Sequence, residues 1–382
     1  MIAAVKKLWI IAFEFPPFPG GQATYAVEMA RAYSAMGYQV TVIAPDYAPD
    51  YADATIAQDA AEPYSTQRLL VHQQLNHHAV LAIVRALRDV SPDDIVLACD
   101  IRSGLATSVA RLFYRFRKIL MFHGGEIVRA EYSRFALLGN WLAALGSCQL
   151  VANSQFSAAL VKKHLHKPCA GIALGVARSW LASPARAQFD SPILAALPTD
   201  VPWLSTVARL ARRKGHLVAC DALQLMQKAG DTPYLYIIAG KMIDPDYFAE
   251  LETVIAAANG RVVYAGQISQ HDVHLLYARS AVFLLLASHE KGDVEGFGLV
   301  ITESGAQSCP AVSTKVGGIP DAILDGKTGL LCDEGDVPAM AHAIRMLLTQ
   351  PVYRHSLGQA ARDYATELSW ERNARLTLDG VE

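Results

Sequence analysis

The sequence predicts an α/β chain built from two similar halves, each a parallel sheet with helices crossing between its strands. Three observations carry this expectation. Short apolar runs of strand length alternate with stretches of helix length, the pattern of βαβ units and therefore of parallel sheets. The alternation starts twice, at Leu8 and again at Trp203, with Pro184, Pro192, Pro198 and Pro202 crowded between the two. The 382 residues are 52% hydrophobic and 18% charged, enough apolar surface for two cores and too much for bulk disorder.

Composition also excludes some functions. A formal net charge of −2 gives no global case for nucleic acid, and any membrane contact has to come from a local patch. The six cysteines are scattered, with no C-x-x-C pair and no histidine at zinc-ligand spacing. They read as reduced, mostly buried thiols of a cytosolic protein. Lys6 and Lys7 precede an apolar run, Leu8–Phe13, that is too short for a secretory signal and ends at Glu14. No charge falls between Arg134 and Lys162, but Gly139, Asn140, Gly146 and Asn153 interrupt the stretch. A buried helix and strand are expected there rather than a membrane span.

In chain order, Leu8–Phe13 reads as the first buried strand and residues 16–21 as a loop. Thr24 is placed to cap the next helix, whose stripe of Tyr25, Met29, Tyr33 and Met36 is closed by Gly37. Gln39–Ala44 is the second strand. Gly20-Gly21 then sits at the carboxyl end of strand one, where open α/β sheets bind ligands, although a plain turn would look the same. Residues 50–75 read as an irregular loop. Ile95–Ala98 is a strand, Ile101–Phe113 a helix, and Ile119–Phe122 a strand running into His123-Gly124-Gly125-Glu126. A hydrogen-bonded structural histidine is the ordinary reading of such a position. Ser154 caps the helix after strand Leu150–Ala152. In the second half the strands are Trp203–Ala208, Tyr234–Ala239 ending at Gly240, Arg261–Ala265 followed by Gly266-Gln267-Ile268, Val282–Ala287, and one near Leu330. Helices are expected up to Gly230, at His271–Arg279, at 336–349 and at about 351–365. The expected domains are 1–190 and 191–360, with 361–382 a C-terminal helix packing back on the first.

The stretch from Ser288 to Glu303 organises the second half. It reads as a strand end, a glycine-containing loop, and a helix opened by Gly296-Phe297-Gly298. Free N–H groups and the positive dipole end at a helix start suit an anion, and glycine lets the backbone come close to it. Glu295 and Glu303 would be roughly 12 Å apart on a continuous helix. A glycosidic acid and base pair needs about 5–9.5 Å. The two carboxylates therefore read either as acceptors for two separate sets of hydroxyls on one long ligand or as solvated charges. Arg209 and Lys214 flank a strand end and a helix start and suit a diphosphate, whereas Arg212 and Arg213 read as surface charges. Asp244-Pro245-Asp246 reads as a helix start rather than a metal motif. Residues 111–118 interleave bases and aromatics, either as a peripheral membrane patch or as a buried face with solvated charges.

Glu295-x7-Glu303 with Gly-Phe-Gly inside it, and Arg209-Leu-x-x-x-Lys214-Gly upstream, resemble the signature of the retaining glycosyltransferases of family 4, or glycosyl transferases group 1. The likeness is specific over 203–332 and looser over 1–180. It implies the GT-B fold, α/β with two Rossmann-like domains whose parallel sheets face across a cleft. It implies a hexosyltransferase that moves a hexose or related sugar, with retention, from a GDP- or UDP-linked donor. The acceptor would be a hydroxyl on a glycan, a lipid-linked carrier or a small molecule, in cell-surface polysaccharide or glycoconjugate synthesis. The loop Lys291–Val294 also occurs in relatives that use GDP-mannose. Carried over by position, Arg209 and Lys214 bind the diphosphate, and Phe297, Gly298 and Leu299 add backbone N–H contacts. Glu303 takes the ribose hydroxyls, Glu295 the transferred sugar, and Ile268 the base through its backbone. Gly240 is grouped with this donor set. Gly20 and Gly21 face the diphosphate and acceptor, and His123 lies near the transferred sugar. Residues 50–75 fall on the acceptor side, and Gly317-Gly318 match a family pair of glycines. The catalytic set is then His123, Glu295, Arg209 and Lys214, with no metal or other cofactor and no nucleic-acid partner. The expected location is cytoplasmic, or peripheral on the inner face of a membrane. The chain departs from the family with Ala208 and Ser308 at usual glycine positions, and with Leu174-Gly175-Val176-Ala177 where Asn-Gly-Val-Asp is common. A nucleotide-sugar epimerase and a non-catalytic nucleotide-sugar-binding subunit are the alternatives.

Overall fold

The computed structural model describes residues 6–48, 52–230 and 232–381. The chain divides into two compact units. The first comprises Met1–Gly175, Lys291–Gly296 and Trp370–Glu382, and the second Val176–Glu290 and Phe297–Ser369.

The first unit contains β1 (Lys7–Ile11), β2 (Gln39–Pro45), β3 (Ser65–Leu70), β4 (Ile95–Ala98), β5 (Arg117–Phe122), β6 (Ser147–Ala152) and β7 (Ala170–Gly171). They form one sheet in the order β3-β2-β1-β4-β5-β6-β7, with every pairing parallel. The second unit contains β8 (Trp203–Val207), β9 (Leu235–Ala239), β10 (Val262–Tyr264), β11 (Ser280–Leu285), β12 (Ala311–Thr314) and β13 (Gly329–Cys332). Its sheet runs β10-β9-β8-β11-β12-β13, again parallel throughout. These are the two parallel-sheet α/β domains that the sequence predicts. Helices cover both faces, which is why central strands such as β4 and β9 are buried at every residue. In each sheet the strand order reverses once, between β1 and β4 and between β8 and β11. Such a reversal opens a crevice at the carboxyl ends of the strands.

A buried carboxylate fastens the backbone in each unit. Asp100, at the exit of β4, caps the helix Ile101–Ala110 by accepting the Ser103 N–H at 2.8 Å, and its other oxygen accepts the Phe13 N–H at 3.1 Å, beyond β1. In the second unit Asp272 accepts the N–H groups of Asp190 and Ser191 at 2.7 and 2.9 Å. Phe189 and Leu194 sit in the core beside Trp203, so the proline-rich stretch is fastened to this unit. The last helix, Trp370–Leu378, lies on the first unit, with the rings of Trp370 and Tyr25 6.0 Å apart and Asn373 donating to the Ala173 carbonyl at 2.9 Å.

The structure corrects several sequence expectations. Thr24 does not cap: the helix Gly21–Ala35 starts earlier, and the Thr24 N–H already bonds to Gly20 O. Tyr25, Met29 and Tyr33 are fully buried, but Met36 ends the helix and is exposed. The irregular loop expected at 50–75 contains a helix, Ala52–Ala61, and the edge strand β3. Neither has a strong apolar face, because only Thr55 of that helix and Leu70 of β3 are buried. Arg68 links the two, pairing with Asp59 at 2.7 Å. The helix expected to reach Phe113 stops at Ala110. The uncharged stretch after Arg134 is not a buried helix, since Phe135, Leu138, Trp141 and Leu142 are exposed and only Asn140 and Ala143 are buried within Arg134–Ala143. Residues 111–118 split, with Phe116 and Lys118 buried and Leu112 and Phe113 exposed. Among the described residues no helix is long and apolar enough to cross a membrane. Cys99, Cys220, Cys309 and Cys332 are buried free thiols, and Cys148 is exposed.

Replacing Asp100 by Ala removes a helix cap and leaves the Phe13 N–H buried without its acceptor. Urea unfolding should report a loss of about 2–4 kcal/mol. The milder Ser103→Ala change, which keeps the Asp100 carboxylate, should cost less.

Candidate functional site

In the second unit the strand exits are locked in a row. At the exit of β9, Gly240 (φ +150°) lies so close to β8 that a Cβ would stand 1.9 Å from the Ala208 carbonyl oxygen. The Gly240 N–H donates to Gly266 O at 2.8 Å, and the Tyr264 hydroxyl donates to Gly240 O at 2.8 Å. Arg209, Gly240 and the Gly266-Gln267-Ile268 loop are thereby brought side by side, with Ile268 packed on the core. Only glycine permits that backbone approach.

The segment after Arg209 crosses to β11. Gly215 (φ +73°) would place a Cβ 1.9 Å from Leu286 O, and the Ser288 N–H donates to Arg213 O at 3.0 Å. Lys214 is thus held over the exit of β11, on the other side of the strand-order reversal from β9. Arg209 is exposed and Lys214 half-buried. Arg212 bonds to Glu250 at 2.9 Å and stacks 5.2 Å from the Tyr247 ring centroid, while Arg213 is buried. So Arg212 is engaged elsewhere on the surface, and Arg213 is not a surface charge as expected.

Beyond β11, Phe297 is buried and Gly298 (φ +92°) turns the chain into the helix Leu299–Ala306. No side chain caps this helix start. Its first N–H groups lack intrahelical acceptors, so they suit an anion. Glu303 lies on this helix, partly exposed, and burial pushes its carboxyl up to about 7. Glu295 is not on the helix with it. The loop is anchored from β12, where Ser313 and Thr314 donate to the carbonyls of Leu285 and Ala287 at 2.5 and 2.6 Å. Neither residue stood out in the sequence, because a hydroxyl inside an apolar run gives no signal of its partner.

In the first unit, His123 leaves β5 with Nε2 2.7 Å from the Cys99 carbonyl oxygen. A carbonyl only accepts, so the ring proton is at Nε2, and Nδ1 is the ring's other nitrogen. Tyr25 meets the ring edge-on at 5.4 Å. The segment Lys291–Gly296 packs on this strand exit. A Cβ on Gly296 would stand 2.1 Å from His123 O, and one on Gly124 (φ +105°) would stand 3.2 Å from the Gly296 Cα. Asn153 donates to His123 O at 3.0 Å, and Arg129 to Gly292 O at 3.3 Å. Glu295, half-buried, is therefore a chain neighbour of the residue lying against His123. Gly20 sits 3.2 Å, measured from an added Cβ, from a Glu14 oxygen, and Gln73 donates to the other Glu14 oxygen at 2.6 Å. Glu14, Tyr25 and Asn153 were missed by sequence reasoning. Only Glu14 carried a local signal, a carboxylate directly after a strand.

Gly317 (φ +57°) and Gly318 lead into the short helix Ile319–Ala322. Asp244 caps the helix Pro245–Ala257 through the Tyr247 N–H at 3.0 Å. Among the described residues, Asp190, His271 and Asp272 bring ligand atoms within 4.8 Å of one another. Both Asp272 oxygens already accept backbone N–H groups, which makes this cluster a fastening.

Comparison with known proteins identifies the family and the fold. The sequence profile described as Glycosyltransferase Family 4 matches residues 19–176, and that described as Glycosyl transferases group 1 matches 195–364. A D-inositol 3-phosphate glycosyltransferase of Arthrobacter is 30% identical over 243 residues, covering 61% of this chain and 55% of the relative. A GDP-mannose-dependent alpha-(1-6)-phosphatidylinositol monomannoside mannosyltransferase of Mycolicibacterium smegmatis is 31% identical over 183 residues, covering 46% and 47%. The chain spans about half the length of these curated relatives. Among solved structures, a sucrose-phosphate synthase from Thermosynechococcus elongatus superposes with a TM-score of 0.77 at 21% identity, covering 97% of each chain. Anabaena HepE in complex with UDP and glucose superposes at 0.78 and 19% identity, covering 98% of this chain and all of that one. At these identities the likeness establishes the GT-B fold.

Two variants test the site's construction. Gly296→Ala should drive a methyl into the His123 carbonyl, cost about 1–3 kcal/mol, and speed amide exchange across 123–125 and 292–296. Unchanged exchange would show that the two segments are not packed as described. For Glu303 the folded pKa of about 7 lies above the ordinary 4.5. The folded state is thus penalised as pH rises between those values, and the penalty is complete above about 7. Glu303→Gln, which never ionises, should raise Tm at pH 8 by more than at pH 5.

Proposed function

The chain belongs to the family 4 glycosyltransferases, and from that premise we propose that it moves a sugar from a nucleoside diphosphate to an acceptor hydroxyl, with retention. The observation that carries this reading is the junction at the second unit's strand-order reversal. Gly215 against Leu286 and the Ser288–Arg213 bond hold a cationic turn beside the exit of β11, in the unit that also presents an uncapped helix start. Departure of a nucleoside diphosphate builds negative charge. Arg209, Lys214 and the N–H groups around Phe297, Gly298 and Leu299 are fixed donors for that charge, so stabilisation needs little reorganisation. With two cations and a helix start available, the reading calls on no metal.

Glu303 accepts the ribose hydroxyls, and the Gly240 and Ile268 loops border the base. Glu295 and His123 serve the transferred sugar, with His123 offering its Nδ1 side because Nε2 is bonded to Cys99 O. Gly20 and Gly21 serve the diphosphate and acceptor. The acceptor class we infer is a hydroxyl-rich small molecule or a lipid-linked glycan, used in glycoconjugate or cell-surface polysaccharide synthesis. One relative is named for GDP-mannose and one structural neighbour was solved with UDP and glucose, so guanosine and uridine are the two bases to compare.

A thermal-shift panel of UDP, GDP, ADP and their common sugars should give a selective rise with one nucleotide, since a ligand bound only by the folded state raises Tm. No shift with any of them would favour a chain that binds no nucleotide sugar. Affinity for that nucleotide should climb as pH rises through about 7, because the ribose needs an ionised Glu303. With donor and acceptor identified, Arg209→Ala or Lys214→Ala should lower kcat/KM by roughly 100- to 1000-fold. Transfer unchanged in Lys214→Ala would sink the mechanism, and nucleotide-sugar turnover without acceptor would point to epimerisation.

A further inference from the structure

The helix Arg134–Ala143 turns its large apolar side chains outward. Phe135 is 89% exposed, Leu138 52% and Trp141 45%. Asn140 and Ala143 face inward, and Asn140 donates to Glu126 O at 2.9 Å. The neighbouring turn adds Leu112 at 80% and Phe113 at 67%. The two segments adjoin at the C-terminal end of Arg134–Ala143. A Cβ on Gly104 would stand 3.0 Å from the Ala143 Cβ, the Ser108 hydroxyl donates to Leu142 O at 2.8 Å, and a Cβ on Gly146 would stand 2.7 Å from Arg111 Nε. The buried Lys118 fixes this arrangement. Its Nζ donates to Gly104 O at 2.9 Å, Ser108 Oγ at 2.7 Å, Ala143 O at 2.6 Å and Leu145 O at 3.3 Å, so the C-terminal end of this helix is tied to the flank of the helix Ile101–Ala110 through one amine. Large apolar side chains exposed on adjoining segments mark an interaction surface.

Charge decides what meets it. From Ile101 to Gly175 the chain has ten Lys or Arg and two carboxylates, although the whole protein is at −2. Glu131 cancels Lys163, and Glu126 is turned to the His123 N–H, so the stretch keeps an excess of eight positive charges. Arg115 and Arg134 are exposed within the patch segments, and Lys167 reaches Ala144 O at 3.3 Å. A second copy would bring two basic faces together and be repelled. We propose that this face docks the protein on an anionic lipid bilayer, with Phe135, Trp141 and Leu112 at headgroup depth and the arginines on lipid phosphates. The proposal is independent of the sugar-transfer reading.

Sedimentation of the full chain with vesicles tests it. The protein should pellet with vesicles of phosphatidylcholine and phosphatidylglycerol in equal parts, not with phosphatidylcholine alone, and less at high salt. Phe135→Ser with Trp141→Ser should lower the partition coefficient at least about tenfold without lowering Tm, because both side chains are exposed. Arg115→Gln with Arg134→Gln should weaken binding to the anionic vesicles only. No pelleting, or pelleting that neither pair of changes weakens, would overturn the proposal. So would light scattering that finds a dimer dissociated by the Phe135 and Trp141 changes, in a protein that ignores vesicles.

Discussion

Every strand pairing in both sheets is parallel, and that constraint sets where chemistry can occur. A parallel neighbour needs a return crossover, so every strand leaves its sheet along the same edge. The exits crowd there, and they crowd as backbone against backbone. Gly240 lies on Ala208, Gly215 on Leu286 and Gly296 on His123, each closer than any side chain would allow. Exit carbonyls would be left without donors by so irregular a path. Thr206, Ser313 and Thr314 supply them, bonding to the carbonyls of Leu284, Leu285 and Ala287 from within the strands. The loops that carry Arg209, Lys214 and Phe297 are therefore fixed from below by buried hydroxyls.

The same accounting separates structural charge from charge kept for another purpose. Asp100 and Asp272 are buried carboxylates whose oxygens accept backbone N–H groups. Arg212 is engaged with Glu250 and Tyr247, and Lys118 with three carbonyls and a hydroxyl. Glu303 differs, because burial pushes its carboxyl up to about 7. A carboxylate held that way costs stability at neutral pH, a cost that makes sense where a ligand's hydroxyls would supply the missing donors.

Much of the fold was legible because parallel strands buried on both faces leave continuous apolar runs. Ile95–Ala98 and Leu235–Ala239 stand out from their flanks for that reason. Ser154 was legible as a cap, since cap chemistry is local. β3 was not, because an edge strand half in water alternates too weakly to be distinguished from a loop. In the site, the cations and glycines of 209–215 and 296–303 could be read from spacing. The packing of Gly296 on His123 could not, for it joins residues far apart in sequence through a backbone contact that leaves no compositional trace. Tyr25 and Asn153 were hidden by the same distance.

The helix Arg134–Ala143 shows how a composition rule can invert. An absence of charge signals an absence of water, and burial in the protein is the usual way to exclude water. Here the small residues face inward, where Ala143 lets Gly104 approach, and the large ones face outward. A core would place them the other way, because burying Phe135 and Trp141 removes far more apolar surface from water than burying Ala143. Lys118 holds the C-terminal end of this helix from inside, its Nζ bonded to Ala143 O and to Gly104 O of the neighbouring helix. A sequence that spends a buried lysine to hold apolar side chains outward is matched to a surrounding that is itself apolar just beyond a layer of negative charge. An anionic bilayer surface meets both conditions, while water meets neither.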